Sequence, residues 1–584
     1  MYIEQINGPE DVKKLNIEEM TAMAAEMRQA LLVRASKHGG HFGPNFGMVE
    51  ATIAMHYVFE SPKDKIVYDV SHQSYPHKML TGRKDAYLYE EHYDDVSGYT
   101  NPKESEYDFF EIGHTSTSVS LACGLAKARD LKKEDGNVIA VIGDGSLSGG
   151  EALEGLDYAA ELGGNLIIVV NDNDMSIAEN HGGLYQNLKL LRETNGQAEC
   201  NLFRAMGLDY VYVDKGNDIA ALIAAFESVK DSKKPVVVHI KTLKGKGYAP
   251  AEQNKEQWHW CMPFDLETGK PLMEFDGEDY SDVTRDYLLK KMKEDPSVVT
   301  ITSATPTVMG FTEDKRKEAG SQFIDVGIAE ANLMGVAAGL AATGHTVFAS
   351  SFAMFAAGRA FEQVRNSIGY PHLNVKIGAT HAGISVGEDG ATHQCNEDLA
   401  LMREIPGMVV INPCDDVEAR AAVKAAYEYV GPVYMRFGRL AVPVINDEST
   451  YKFEIGKGVE LRSGKDITII ATGLPVSESL EAAKFLAEDG IDAQVINIHT
   501  IKPLDEELVV KAAQATGRVF TVEEHSIIGG LGSAVMECLA EKNPVKVTRI
   551  GVRDTFGESG PAKDLLHKYE LDAEGIYKQI KAAL

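Results

Sequence analysis

Two polar turns, each set directly behind a short apolar run, constrain the fold of this chain more than any other feature of its sequence. The first run, Val138 to Ile142, leads into Gly143-Asp144-Gly145. The second, Leu166 to Val170, leads into Asn171-Asp172-Asn173-Asp174-Met175. Both runs are rich in β-branched residues, as strands buried on both faces of a parallel sheet are. Between them, Glu151 to Leu162 has helical character. The unit is strand, turn, helix, strand, turn. It carries both turns to the carboxyl ends of neighbouring strands, where open α/β sheets bind ligands. Asp144 and Asn173 offer hard oxygen donors there, and a main-chain carbonyl near Met175 offers a third. With two phosphate oxygens and a water, that set suits octahedral Mg²⁺. Gly143 and Gly145 leave a diphosphate room to approach the backbone, with Ser146 in the same turn. Gly, Asn and Asp are also the ordinary residues of turns, so the expectation rests on the pairing.

At 584 residues the chain exceeds a single hydrophobic core, and three or four domains are expected. A formal net charge of −29 argues against nucleic acid as a partner, because phosphate backbones call for basic surfaces. Six scattered cysteines without a Cys-x-x-Cys pair read as reduced thiols, not as a disulfide framework or a zinc site. The acidic start carries no signal-peptide pattern, and no apolar run approaches membrane-spanning length. A cytoplasmic protein without a membrane partner is expected.

Residues 1–37 alternate charged and apolar positions at helical spacing, which predicts a covering helix without chemistry of its own. Chemistry begins at Gly39-Gly40-His41-Phe42-Gly43-Pro44-Asn45. A second histidine loop, Ser71-His72-Gln73-Ser74-Tyr75-Pro76-His77-Lys78, follows a predicted strand at Ile66 to Val70. A third, Glu111-Ile112-Gly113-His114-Thr115-Ser116, precedes a helix of small residues. One loop histidine is more often structural than catalytic. Three at the strand ends of one α/β domain converge on one rim of its sheet, where imidazoles shuttle protons and hold hydroxylated or anionic substrates.

The segments GGHFGPNFG, DVSHQSYPHKMLTGR and ESEYDFFEIGHTSTSVS resemble the first half of the deoxyxylulose-phosphate synthases, as do Lys244 to Glu252 and Trp258-His259. The pairing of GDG with NDN resembles the thiamine diphosphate motif. The resemblance implies thiamine diphosphate and Mg²⁺ as cofactors, with Asp144, Asn173 and Met175 at the metal. It implies His41 and His72 facing the reacting carbons, and His72, His114 and Ser116 at the cofactor beside Gly143, Asp144, Gly145, Ser146 and Asn173. Lys241 to Lys246 reads either as a basic lid over phosphates or as a solvated loop. Two departures stand out. The family's long segment after the NDN strand is reduced to His181 to Gly207, and Thr100-Asn101-Pro102-Lys103 stands where Arg or Lys is common.

A second α/β domain is expected after a polar linker. There Asp325-Val326-Gly327-Ile328-Ala329-Glu330 puts a carboxyl residue at a helix start, which by itself reads as a helix-capping glutamate. The resemblance makes Glu330 the residue that contacts the aminopyrimidine ring, with Phe355, or else Phe352, stacked on that ring. This half looks like transketolase, especially its form split into two subunits. His381, Asp389 and His393 match transketolase positions that contact donor hydroxyls and phosphate, and Arg439 matches the phosphate-binding arginine. The synthases carry Arg in the loop where this chain has Thr380-His381-Ala382-Gly383.

A third α/β domain holds the glycine cluster Gly529-Gly530-Leu531-Gly532, weak as a phosphate cradle on its own, and is read as structural and dimer-forming. The fold class expected is α/β, with three consecutive parallel-sheet domains of the transketolase-like type. Their bounds are 1–268 (diphosphate and Mg²⁺), 269–282 (linker), 283–445 (pyrimidine) and 451–584 (C-terminal). The function implied is transfer of a two-carbon unit to an aldose phosphate by a homodimer. The donor is pyruvate, with loss of CO₂, or alternatively a ketose phosphate. A non-catalytic scaffold is the remote third reading, and it predicts that metal or proton-transfer groups are missing.

Overall fold

The computed structural model describes residues 1–272 and 280–584; residues 273–279 of the expected linker lie outside the described residues. The chain divides into two compact units, Met1–Phe275 with Gly327–Ala329, and Asp276–Val326 with Glu330–Leu584.

The first unit opens with short helical turns and the long helix Ile17–His38, started by a reciprocal capping box between Asn16 and Glu19. Its main sheet is all parallel: β2 (Lys65–Tyr68), β3 (Val138–Gly143), β4 (Ile167–Asp172), β5 (Asp209–Val213) and β6 (Val236–Lys241), in the order β2-β3-β4-β6-β5. Ile139 to Ile142 and Ile167 to Val170 are fully buried. Each such large aliphatic side chain contributes about 1.5–3 kcal/mol on burial. In the β3–β4 register Gly143 stands opposite Asn171, so the two polar turns leave the sheet side by side. The helix Gly150–Leu162 that joins them packs on Ser118–Lys132. There a Cβ on Gly155 would lie 3.0–3.1 Å from Ser120 and Val119, so a larger residue would require these neighbours to give by a few tenths of an ångström.

A two-residue antiparallel ladder, β1 (Gly40–His41) with β7 (Trp260–Cys261), closes the unit's far end onto its beginning. Sequence periodicity carries no signal for it, because two residues show no alternation. From β1 the chain enters the helix Gly43–Val58, which is buried along nearly its whole length.

The second unit holds two sheets. One has seven strands: β8 (Val298–Thr302), β9 (Phe323–Asp325), β10 (Thr346–Phe352), β11 (Val375–Thr380), β12 (Val409–Ile411), β13 (Val433–Arg436) and β17 (Thr500–Lys502), in the order β17-β12-β13-β11-β10-β8-β9. The other has five: β14 (Val459–Arg462), β15 (Ile467–Ala471), β16 (Ala493–Asn497), β18 (Arg518–Ser526) and β19 (Lys546–Val552), in the order β14-β16-β15-β18-β19. The expectation of wholly parallel sheets is corrected at two edges. β14 runs antiparallel to β16, and β17, from the last stretch of chain, runs antiparallel to β12 of the other sheet. No helix among the described residues is long and apolar enough to cross a membrane, and all six cysteines are free.

Candidate active site

The Gly143–Met175 turns meet around one carboxylate. Asp144 is 1% exposed. Its Oδ2 accepts from the Met175 N–H at 3.1 Å and from Asn180 Nδ2 at 2.7 Å. Burial, with Asp172 nearby, pushes its carboxyl up to about 7. Asn173 Oδ1 is buried and accepts no hydrogen bond. Among the described residues no group of three or more His, Cys, Asp or Glu is placed to hold a metal. A site here therefore has to be built from a carboxylate, an amide oxygen and the main chain, all hard donors that suit Mg²⁺. A buried carboxyl bonded only to neutral donors, beside a buried amide oxygen that accepts no bond, fits a cation, because both groups are costly to bury without a charged partner.

The neighbouring positions expected at the cofactor are tied to this turn. Ser116 Oγ donates to the Ser146 carbonyl at 2.7 Å, and Tyr185 Oη donates to the Gly145 carbonyl at 3.0 Å. Asp69, at the end of β2, accepts from the N–H groups of Ser116 (2.8 Å) and Ser118 (2.9 Å), which fixes the His114 loop. Several non-glycine residues here are left-handed: Val70, Ser71, Ser116 and Asp174 have φ of 58°, 67°, 71° and 62°. For a β-branched Val that is a costly conformation, and such strain gathers at binding and catalytic sites.

The histidine loops also come together. The rings of His41 and His72 are 5.1 Å apart, and a third ring, His259, lies 5.9 Å from His41 and 5.3 Å from His72. The β1–β7 ladder brings His259 in, continued by bonds from Phe42 N to the His259 carbonyl (3.0 Å) and from Gly43 N to the Trp258 carbonyl (2.8 Å). Burial holds the His259 imidazole well below its ordinary range, so it stays neutral. Trp258-His259 entered the sequence reading only as part of the family resemblance, and nothing local placed its ring beside His41 and His72.

The lysine loop is partly exposed and partly buried. Lys241 pairs with Asp214, Lys246 with Glu50, and Lys244 is buried with its Nζ on the Ser176 carbonyl at 2.6 Å. Burial pushes Lys244 down to about 7. Gly529 to Gly532 holds no open phosphate cradle either. The N–H groups of Leu531 and Gly532 donate to the Glu523 carboxylate at 2.6 and 2.8 Å, so a side chain of the protein already caps that helix.

In the second unit Glu330 begins the helix Glu330–Ala342 and is 5% exposed. Burial raises its carboxyl, opposed by Arg359, whose Nη1 lies 3.7 Å away. Phe352 packs on His381 (4.3 Å between centroids) and His393 (5.9 Å), and Phe355 on His393 (5.4 Å). Arg439 Nη1 stands 3.7 Å from Asp389 and donates to the Val386 carbonyl at 2.6 Å. His381, His393, Asp389 and Arg439 thus share one neighbourhood. Burial, reinforced by Arg439 and His393, pushes His381 down to about 3. His381 itself is left-handed at φ 56°.

The Thr380–His393 loop is held by the last third of the chain. Glu524 Oε1 accepts from Ser385 N at 2.6 Å, and Gln394 Nε2 donates to the Glu558 carbonyl at 2.9 Å. Gly383, at φ 84°, is the only residue type that fits: a Cβ there would sit 2.4 Å from Glu524 Oε1.

Comparison with known proteins agrees along the whole chain. The family model for 1-deoxy-D-xylulose-5-phosphate synthase matches residues 3–200 and 191–242. The transketolase pyrimidine-binding and C-terminal domain models match 277–444 and 456–576. The 1-deoxy-D-xylulose-5-phosphate synthase 1 of Geobacter sulfurreducens is 39% identical over 624 residues, covering 100% of this chain and 97% of the relative. The synthase of Heliobacterium modesticaldum is 39% identical over 612 residues, covering 98% and 94%. Among solved structures, one described as "Split gene transketolase, inactive beta4 tetramer" is 48% identical over 53% of this chain and 99% of its own, with a TM-score of 0.49. With full-length relatives of this identity behind it, the chain belongs to the 1-deoxy-D-xylulose-5-phosphate synthase family of thiamine diphosphate-dependent transferases.

Proposed function

We propose that the protein condenses pyruvate with glyceraldehyde 3-phosphate and releases CO₂, forming 1-deoxy-D-xylulose 5-phosphate. The observation that carries this reading is 39% identity over the full length of curated synthases. When bound, thiamine diphosphate supplies an electron sink for breaking the bond between the donor's carbonyl carbon and its carboxylate. Asp144, Asn173 and the Met175 carbonyl would hold Mg²⁺, and Gly143, Gly145 and Ser146 would take the diphosphate. His114 and Ser116 flank the cofactor. Glu330 would hold a proton for the pyrimidine half of the cofactor, and Phe355 would offer that ring an aromatic face.

His41 and His72 give a proton to the acceptor's carbonyl oxygen as the new carbon–carbon bond forms, and regain one from the hydroxyl that becomes the product's ketone. His381 lines the donor side as a neutral imidazole, and its burial keeps water from the reacting carbon. Arg439 grips phosphate as a planar fork, and Asp389 and His393 bond to hydroxyls. We place the protein in the cytoplasm as a homodimer, in keeping with the resemblance to transketolases.

A second reading is favoured by one observation: the grouping of His381, His393, Asp389 and Arg439 suits a hydroxylated, phosphorylated donor better than pyruvate. In that reading a ketose phosphate gives up a glycolaldehyde unit. One assay separates the two. Purified protein with thiamine diphosphate, Mg²⁺ and glyceraldehyde 3-phosphate is expected to release CO₂ from labelled pyruvate. Absence of CO₂, with turnover of a ketose phosphate instead, selects the second reading.

A further inference from the structure

The His41 and His72 loops are 31 residues apart in sequence, and one side chain ties them together. Asn45 is 0% exposed in the first turns of the helix Gly43–Val58. Its Nδ2 donates to the main-chain carbonyl of His41 at 2.9 Å and to that of His72 at 2.8 Å. Its Oδ1 accepts from Tyr75 N at 2.9 Å. Both donors of the amide and its oxygen are thus used on the two histidine loops. A buried amide is costly unless satisfied. Here it is satisfied by the backbones of His41, His72 and Tyr75, and the rings of the two histidines lie edge-on with centroids 5.1 Å apart.

We propose that Asn45 is a positioning residue for the reaction: it sets the spacing and orientation of His41 and His72 by holding both of their backbones on one planar amide. The inference rests on the reading of these histidines as the proton-transfer pair, but it goes beyond it, since Asn45 itself touches no substrate in this scheme. The geometry is specific to an amide. Aspartate keeps the shape but turns two donors into acceptors facing two carbonyls. Serine reaches one carbonyl at most. Tyr75 adds a weaker link, its Oη accepting from His41 N at 3.4 Å, and the β1–β7 ladder ties His41 to the His259 segment but not to His72.

The test uses the full-length protein loaded with thiamine diphosphate and Mg²⁺, comparing Asn45→Asp, Asn45→Ser and Asn45→Gln with His41→Asn and His72→Asn. For Asn45→Asp we expect kcat to fall about 100-fold, the scale set by displacing a catalytic group by about an ångström. We expect cofactor affinity, read by quenching of tryptophan fluorescence, to stay within about twofold of the parent. The pH profile of kcat should change shape, because the histidines that govern it have moved, and Asn45→Gln should recover part of kcat by restoring the donors. Asn45→Ser gives the same readouts if Asn45→Asp fails to fold. A parental pH profile and kcat in the Asn45 variants, with His72→Asn inactive, overturns the proposal through the tether alone. So does a loss of kcat that only mirrors lost thermal stability and cofactor affinity. Full turnover in both His41→Asn and His72→Asn overturns it through the histidine reading on which it stands.

Discussion

A Glu330→Gln variant is expected to lose about 10²–10⁴-fold in turnover while still binding thiamine diphosphate and Mg²⁺, the range associated with removing a general acid–base group. Glutamine keeps the size of the side chain and its packing at the start of the Glu330–Ala342 helix, but it has no proton to transfer. Burial raises the Glu330 carboxyl above its ordinary value, and Arg359 only partly opposes that. A carboxyl whose folded-state pKa is raised favours folding at low pH. It costs stability as pH climbs from the unfolded value through the folded one, and the cost is fully present above. Glutamine removes that cost, so at neutral pH the variant should melt no lower than the parent. Low turnover together with normal melting and normal cofactor affinity is the expected signature. Parental turnover in Glu330→Gln would sink the assigned role.

The second large effect is expected at Asp144. In the parent, thiamine diphosphate with Mg²⁺ at a hundredfold excess over Kd stabilises the folded state by about 2.7 kcal/mol, seen as a rise in melting temperature. Asp144→Asn should abolish most of that rise and take activity with it. Without cofactors the variant should melt at or above the parent, because a buried carboxyl pushed up to about 7 by burial and Asp172 is replaced by a neutral amide. The two outcomes run in opposite directions, so scanning calorimetry separates loss of a cation ligand from a general loss of fold. A full cofactor-induced rise in Asp144→Asn would refute the cation site. Asn173→Ala should act the same way, since its Oδ1 is buried with no other partner.

What could be read in advance was local. The GDG and NDN turns follow apolar strands directly, and a parallel register then brings their ends level, as the pairing of Gly143 with Asn171 illustrates. The place of Glu330, just beyond a strand and at a helix start, was equally legible. His259 was not, because it reaches His41 through a ladder between residues more than two hundred apart in sequence. The partners of the lysine loop were unreadable for a related reason: its composition is basic, yet Glu50 and Asp214, distant in sequence, pair with two of its lysines, and Lys244 turns inward. The antiparallel edge strand β17 was also unreadable, three residues long and paired outside its own stretch of chain. Asn45 was visible only as part of a motif, since nothing in its neighbourhood announces which two carbonyls its amide will bond.

The grip of Glu524 and Glu558 on the Thr380–His393 loop has a consequence for how such chains recombine. A cut near residue 446 looks natural from the linear order of domains. It would part Ser385 from Glu524, Gln394 from Glu558 and β12 from β17, and it would leave Gly383 facing whatever side chain a foreign domain supplied. The stretch from residue 280 to 584 therefore behaves as one cassette. A donor loop imported from a relative has to arrive with the C-terminal segment it was fitted to, and specificity in this half of the molecule is inherited in a larger block than its sequence boundaries imply.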